Sequence, residues 1–94
     1  MAAFYRSQAM WYFYILQSKK KTEFFYKGST DDLRRRLEQH NKGNVDSTRP
    51  YLPFRIVYYE AYVSEQAAHL RESSVKTSGS VSVPLMKRIK ESLK

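Results

Sequence analysis

The sequence predicts one small domain of the α+β class, a three-stranded sheet with helices packed around it. Three observations lead there. Aromatic and β-branched runs of strand length occupy residues 11–16, 24–26 and 54–63, each bounded by polar or turn-forming residues. Helical spacing with recognisable start or stop signals covers residues 30–41, 65–76 and 84–93. Apolar and polar stretches alternate without interruption, and 94 residues of which 41% are hydrophobic leave room for a single core.

Residues 1–10, MAAFYRSQAM, have no clear period and read as a poorly ordered extension, docked at most by Phe4 and Tyr5. Met10, directly before the first strong strand, is a candidate start; the domain proper is 11–94. Residues 11–16, WYFYIL, form a continuous apolar run, which suits a central strand covered on both faces. Ser18 to Thr22 then reads as a polar turn. A hairpin centred near Lys20 sets Tyr14 opposite Tyr26, with both rings on one face.

After Gly28, Ser29 and Asp32 match a capping pattern that starts a helix at Thr30 and carries it to about Asn41. Asp31 and Asp32 suit its positive end, Leu33 and Leu37 make an inward stripe, and Gly43 supplies the left-handed stop. Residues 44–53 hold two prolines and read as a loop. In the third strand, strict alternation places Ile56, Tyr58, Glu60 and Tyr62 on one face, where Glu60 is a partner for a tyrosine hydroxyl. Ser64 caps the next helix, whose inward stripe runs from Ala68 to Val75 with Glu72 between them. Pro84 opens a short closing helix that buries Leu85 and Ile89.

The formal net charge is +8, from 17 Lys and Arg against 9 Asp and Glu, so the expected partner is a polyanion, nucleic acid foremost. There is no cysteine, which excludes disulfides and thiolate metal sites and permits a reducing compartment. No run approaches the ~18 apolar residues of a membrane span, and residues 1–10 lack the charged-then-apolar order expected of a secretion signal. A cytoplasmic protein without membrane association is expected.

The richest stretch is residues 24–43. Arg36 and His40 lie four apart and project from one side of the helix, beside the strand end that carries Tyr26. A tyrosine, an arginine and a histidine at such a junction suit a phosphate and a proton. The plainer alternatives are a solvated face for Arg34, Arg35 and Arg36 and a helix-end role for His40. Glu72 points along a packed stripe, so it must be paired, protonated or metal-bound, because isolated burial is too costly. Arg71 is the obvious partner if the pairing is structural.

Taken in order, YI, FYKGSTDDLRRRLEQHNKG, FRIVYYEAY, AAHLRESSVKTSG and LMKRIK resemble the small, standalone members of the GIY-YIG nuclease superfamily over nearly all of residues 11–94. The first motif's tyrosine matches Tyr14, with Phe13 where the motif has glycine. The second motif's tyrosine and glycine match Tyr26 and Gly28, with Lys27 where isoleucine is common. The family's arginine and histidine fall at Arg36 and His40, and its metal-binding glutamate at Glu72. The segment after that glutamate, SSVKTSGSVSVP, lacks the asparagine that several members carry.

The resemblance implies a three-stranded antiparallel sheet flanked by helices and an endonuclease that hydrolyses phosphodiester bonds in DNA, RNA not being excluded, in the processing or repair of structured DNA. It implies catalytic roles for Tyr14, Tyr26, Arg36, His40 and Glu72. Tyr26 would activate the water with Tyr14 and His40 tuning it, Arg36 would clamp the phosphate, and Glu72 would hold one Mg²⁺ or Mn²⁺. A free phenol has a pKa of about 10, so such a site must stabilise the phenolate. Lys27, Arg34, Arg35, Arg49 and Lys76 are the expected nucleic-acid contacts, through phosphates. The alternative is a catalytically silent nucleic-acid-binding module with the same fold.

Overall fold

In the computed structural model, which describes residues 9–94, the run beginning at Trp11 is the central strand. The order along the chain is β1 (Trp11–Ser18), β2 (Phe25–Thr30), α1 (Leu33–Asn41), a 3₁₀ turn (Arg49–Tyr51), β3 (Phe54–Tyr62), α2 (Glu65–Thr77) and α3 (Gly79–Ser92). β1 lies between β2 and β3 and is antiparallel to both. The expectation that Phe4 and Tyr5 dock a loose extension falls on residues 1–8, outside the described residues.

Helices cover both faces of β1, which is why its sequence shows no alternation. On one face Phe13 and Ile15 pack with Val75 of α2 and Leu85 and Ile89 of α3. On the other, Tyr14, Leu16 and Phe54 meet Leu33 and Leu37 of α1. Phe13, Ile15 and Leu16 are completely buried, each contributing about 1.5–3 kcal/mol of hydrophobic stabilisation. Phe13 spends its ring on this core, edge-on to Tyr58.

Four local expectations are corrected. The hairpin pairs Tyr14 with Gly28 and Leu16 with Tyr26, two residues away from the expected register. A two-residue shift preserves the face, so Tyr14 and Tyr26 remain on one side as diagonal neighbours with ring centroids 6.4 Å apart. The turn is centred on Lys21 because buried Ser18 organises it, its hydroxyl accepting from the backbone of Lys20 and Lys21 and donating to the Tyr51 carbonyl.

In β3, Ile15 pairs with Tyr58 but Leu16 with Ile56, so Val57 is the extra residue of a bulge. The bulge breaks the expected alternation: Ile56 packs on the Tyr14 side, while Val57, Tyr58 and Tyr62 pack on the Phe13 side.

α1 starts at Leu33, with Asp32 rather than Ser29 as its cap, the Asp32 carboxylate accepting from the Arg35 amide at 3.0 Å. Ser29 is still in β2, because pairing with Phe13 satisfies its backbone there. Gly43 ends the helix at φ 78°, the left-handed conformation expected of it. The last correction is α3, which begins at Gly79 and contains Pro84 rather than starting with it. Ser78 closes α2 and opens α3 in a single extended residue, and Val81 packs against the core, which offsets the weak helix propensity of residues 79–83.

Candidate active site

Gly28 decides where the Tyr14 phenol goes. A methyl group at Gly28 would lie 2.6 Å from Tyr14 Oη, so the absence of a side chain on β2 is what lets the ring lean across its neighbour. The leaning ring brings the hydroxyl under α1. There Tyr14 Oη is 3.0 Å from His40 Nε2, and Arg36 Nε donates to it at 3.4 Å.

The buried side of this cluster fixes its protons. Thr48, fully buried in the loop after α1, donates its hydroxyl to the Val45 carbonyl at 3.3 Å and therefore accepts from His40 Nδ1 at 2.8 Å. His40 Nε2 is then a bare acceptor, and Tyr14 donates to it. Burial, reinforced by the Arg36 charge, lowers the His40 pKa from 6.5 to about 4, so the ring is neutral at pH 7. Burial likewise pushes Tyr14 up to about 12, despite the opposing Arg36 bond. Tyr14 is thus a fixed donor, poorly suited to taking a proton. Asn41 locks the helix end that carries His40, its side chain exchanging two hydrogen bonds with the Phe54 backbone at 2.6 and 3.1 Å.

Tyr26 is the more open phenol. Its ring centroid lies 4.9 Å from that of His40, and its oxygen is near enough to Arg36 to help hold the guanidinium charge. Lys76 Nζ of α2 sits 5.8 Å from the same ring centroid. Arg36 is steadied by a 2.9 Å bond from Nη1 to Gln39 Oε1.

Glu72 reaches this region from the other face, at the β2 edge. Its Oε1 accepts from the Ser29 hydroxyl at 2.7 Å and its Oε2 from Lys76 Nζ at 2.6 Å. The side chain is 20% exposed, and its charge is close enough to raise the Tyr14 pKa. Arg71, the partner the sequence suggested for Glu72, instead grips Glu60 with two bonds of 2.9 and 3.1 Å. Glu60 also accepts from Tyr58 and Tyr62 at 2.5 and 2.6 Å, as its aromatic surroundings suggested.

The structure therefore brings Tyr14, Tyr26, Arg36, His40, Glu72 and Lys76 together. The other basic candidates are dispersed. Arg34 is exposed on α1, and Arg35 is paired with Asp31 and Asp32. Arg49 braces its own loop, bonding the Gly43 carbonyl at 2.9 Å and Asp46 at 2.5 Å. Lys27 points to the opposite side, into a groove of about 550 Å³ shared with Lys87, Lys90 and Lys94. Sequence reasoning missed Ser29, Thr48 and Asn41. Ser29 was hidden by its resemblance to a cap, whereas Thr48 and Asn41 act across contacts that no local pattern encodes.

Among the described residues no three His, Cys, Asp or Glu side chains converge as a metal cage. The donor set here is one carboxylate and the Ser29 hydroxyl, both hard oxygens. Hard oxygens of this kind suit a hard divalent cation that retains most of its own waters, and in this structure the Lys76 ammonium holds Oε2.

A family model described as the GIY-YIG catalytic domain matches residues 10–80. The chain is 41% identical over 66 residues to the UPF0213 protein SpyM50708 of Streptococcus pyogenes serotype M5, covering 69% of this chain and 70% of that one. The UPF0213 protein SpyM3_1077 of serotype M3 matches to the same extent. The solution structure of the UPF0213 protein BH0048 from Bacillus halodurans superposes with a TM-score of 0.49 at 34% identity, over 83% of each chain.

Proposed function

Because the chain belongs to the GIY-YIG family of nuclease catalytic domains, we propose that it is a divalent-metal-dependent endonuclease that hydrolyses phosphodiester bonds in DNA, acting on structured DNA in processing or repair. The observation that carries this reading is the position of Tyr26, flanked by Arg36 on one side and by the Glu72–Lys76 pair on the other.

In this reading Tyr26, the more accessible of the two tyrosines, acts in its phenolate form and accepts the proton of the attacking water, becoming the neutral phenol. Arg36 binds a nonbridging phosphate oxygen and meets the negative charge that grows there. Tyr14 aids by geometry: pinned between Arg36 and neutral His40, it holds the guanidinium in place without exchanging its own proton. Ser29 orients Glu72 through its 2.7 Å bond. Glu72 would hold the ion, which when bound supplies Lewis-acid stabilisation of the leaving oxygen. Lys76 must then give up Oε2 and is left free to meet a phosphate.

One observation favours a second reading, the silent binding module: both Glu72 oxygens already have partners within the protein. Incubating the pure protein with labelled duplex, branched and single-stranded DNA, with Mn²⁺ or with a chelator, separates the two. The nuclease reading expects cleavage that the chelator abolishes and that Arg36→Ala slows by about 10²-fold or more with Mn²⁺ binding retained. Binding without cleavage on every substrate would favour the module.

A further inference from the structure

α1 covers only part of the sheet face that carries Tyr14. Leu33 and Leu37 pack over Leu16, Phe54 and Ile56, whereas the corner formed by Tyr12, Tyr59 and Ala61 has no helix packed on it among the described residues. Tyr59 pairs directly with Tyr14 across β1 and β3, and Tyr12 pairs with Ala61 in the next row of the same face. Tyr59 is 56% exposed, and its ring meets that of Tyr12 edge to face at 5.9 Å and 72°.

Single exposed tyrosines are ordinary. Here exposed Tyr59 touches half-buried Tyr12, the residue beside them is a small, exposed alanine, and the patch continues in register into the candidate site. Tyr59 lies one strand spacing, about 4.8 Å, from Tyr14. With a net charge of +8, the molecule as a whole attracts polyanions. A nucleotide whose phosphate is held at Arg36 can lay its neighbour's base on these rings. A duplex cannot use them, since its bases are already stacked on one another, whereas an unpaired base offers a free π-face.

We propose that Tyr12 and Tyr59 form a base-stacking platform that selects nucleic acid with unpaired nucleotides next to the scissile phosphate. The selection covers single strands, flaps and forks. The proposal rests on the nuclease reading for its phosphate at Arg36, but base stacking is measurable without cleavage.

The test is fluorescence anisotropy in chelator with three labelled probes: a short oligothymidylate, an abasic oligonucleotide of the same length, and a duplex. Wild-type protein should prefer oligothymidylate over the abasic strand by about tenfold or more. Tyr59→Ala should remove most of that preference while leaving abasic and duplex affinities within about twofold, and Tyr59→Trp should keep it. Absence of a base preference in the wild type, or an equal loss on all three probes in Tyr59→Ala, would overturn the platform. So would a preference that survives the Tyr12→Ala/Tyr59→Ala double variant. Sedimentation of the same proteins gives a further check, because self-association abolished by Tyr59→Ala would make the patch a dimer face instead. Loss of metal-dependent cleavage with the base preference intact would count against the nuclease reading alone.

Discussion

His40 is completely buried and accepts a hydrogen bond through one ring nitrogen while donating through the other, an arrangement that only the neutral imidazole satisfies. Its folded pKa of about 4 lies below the unfolded value of 6.5, so protons bind the unfolded chain first as pH falls. The resulting stability is complete above pH 6.5 and is lost progressively as pH drops to about 4, a loss of roughly 3 kcal/mol from this residue alone. Denaturant midpoints across that window should therefore fall steeply for the wild type and more shallowly for His40→Gln, which cannot titrate. Parallel curves would place the acid sensitivity elsewhere. The residue pattern made His40 a site candidate, but Thr48 determines which nitrogen carries its proton, and nothing in the local sequence links residues 40 and 48.

Among elements, α2 has the most exacting placement, because one helix must deliver Val75 to the core and Glu72 to the β2 edge. Its rotation is set by neighbours in sequence with different partners: Arg71 clamps β3 through Glu60, and Glu72 binds β2 through Ser29. Burial alone would raise the Glu60 pKa, yet the bonds from Arg71, Tyr58 and Tyr62 hold the carboxyl below its ordinary value. Glu60→Gln should thus cost about 2–3 kcal/mol in stability and also weaken Mn²⁺ binding at Glu72, although residue 60 touches neither site nor ion. Isothermal titration would detect this; unchanged Mn²⁺ affinity in the destabilised variant would show that α2 holds its orientation without the clamp. The helix was legible from Ser64, Ala68 and Val75. The pairing was not: adjacency suggested Arg71 for Glu72, whereas facing strands gave each another partner. The Val57 bulge was invisible for a similar reason, since a continuous alternation of apolar residues reads the same with or without an extra residue in the pairing.

At the scale of the molecule, the proposed function superposes two separate contributions, a charge that would gather polyanions and a cluster that would act on one phosphate. The charge should make nucleic-acid affinity fall at least about tenfold as salt rises from roughly 50 to 200 mM, with little dependence on sequence, and filter binding across that range would measure it. Salt-insensitive binding would contradict the electrostatic account. The fold class, the central place of β1 and the shared face of Tyr14 and Tyr26 all followed from the sequence, because apolar period and strand length report directly on burial. The scatter of the basic candidates did not, since Arg35 and Arg49 are tied to nearby carboxylates and Lys27 faces away from Tyr26.

The central claim is that the inward carboxylate of Glu72 exists to hold a catalytic cation rather than to brace Lys76 and Ser29. Glu72→Gln preserves size, keeps an acceptor for one of the two donors and removes the charge, so the most direct measurement is plasmid nicking in Mn²⁺ by this variant, with thermal stability and Mn²⁺ binding read on the same preparation. The account predicts a folded protein that still binds DNA, has lost most of its Mn²⁺ affinity and does not nick. A well-folded Glu72→Gln protein that nicks at the wild-type rate would contradict it.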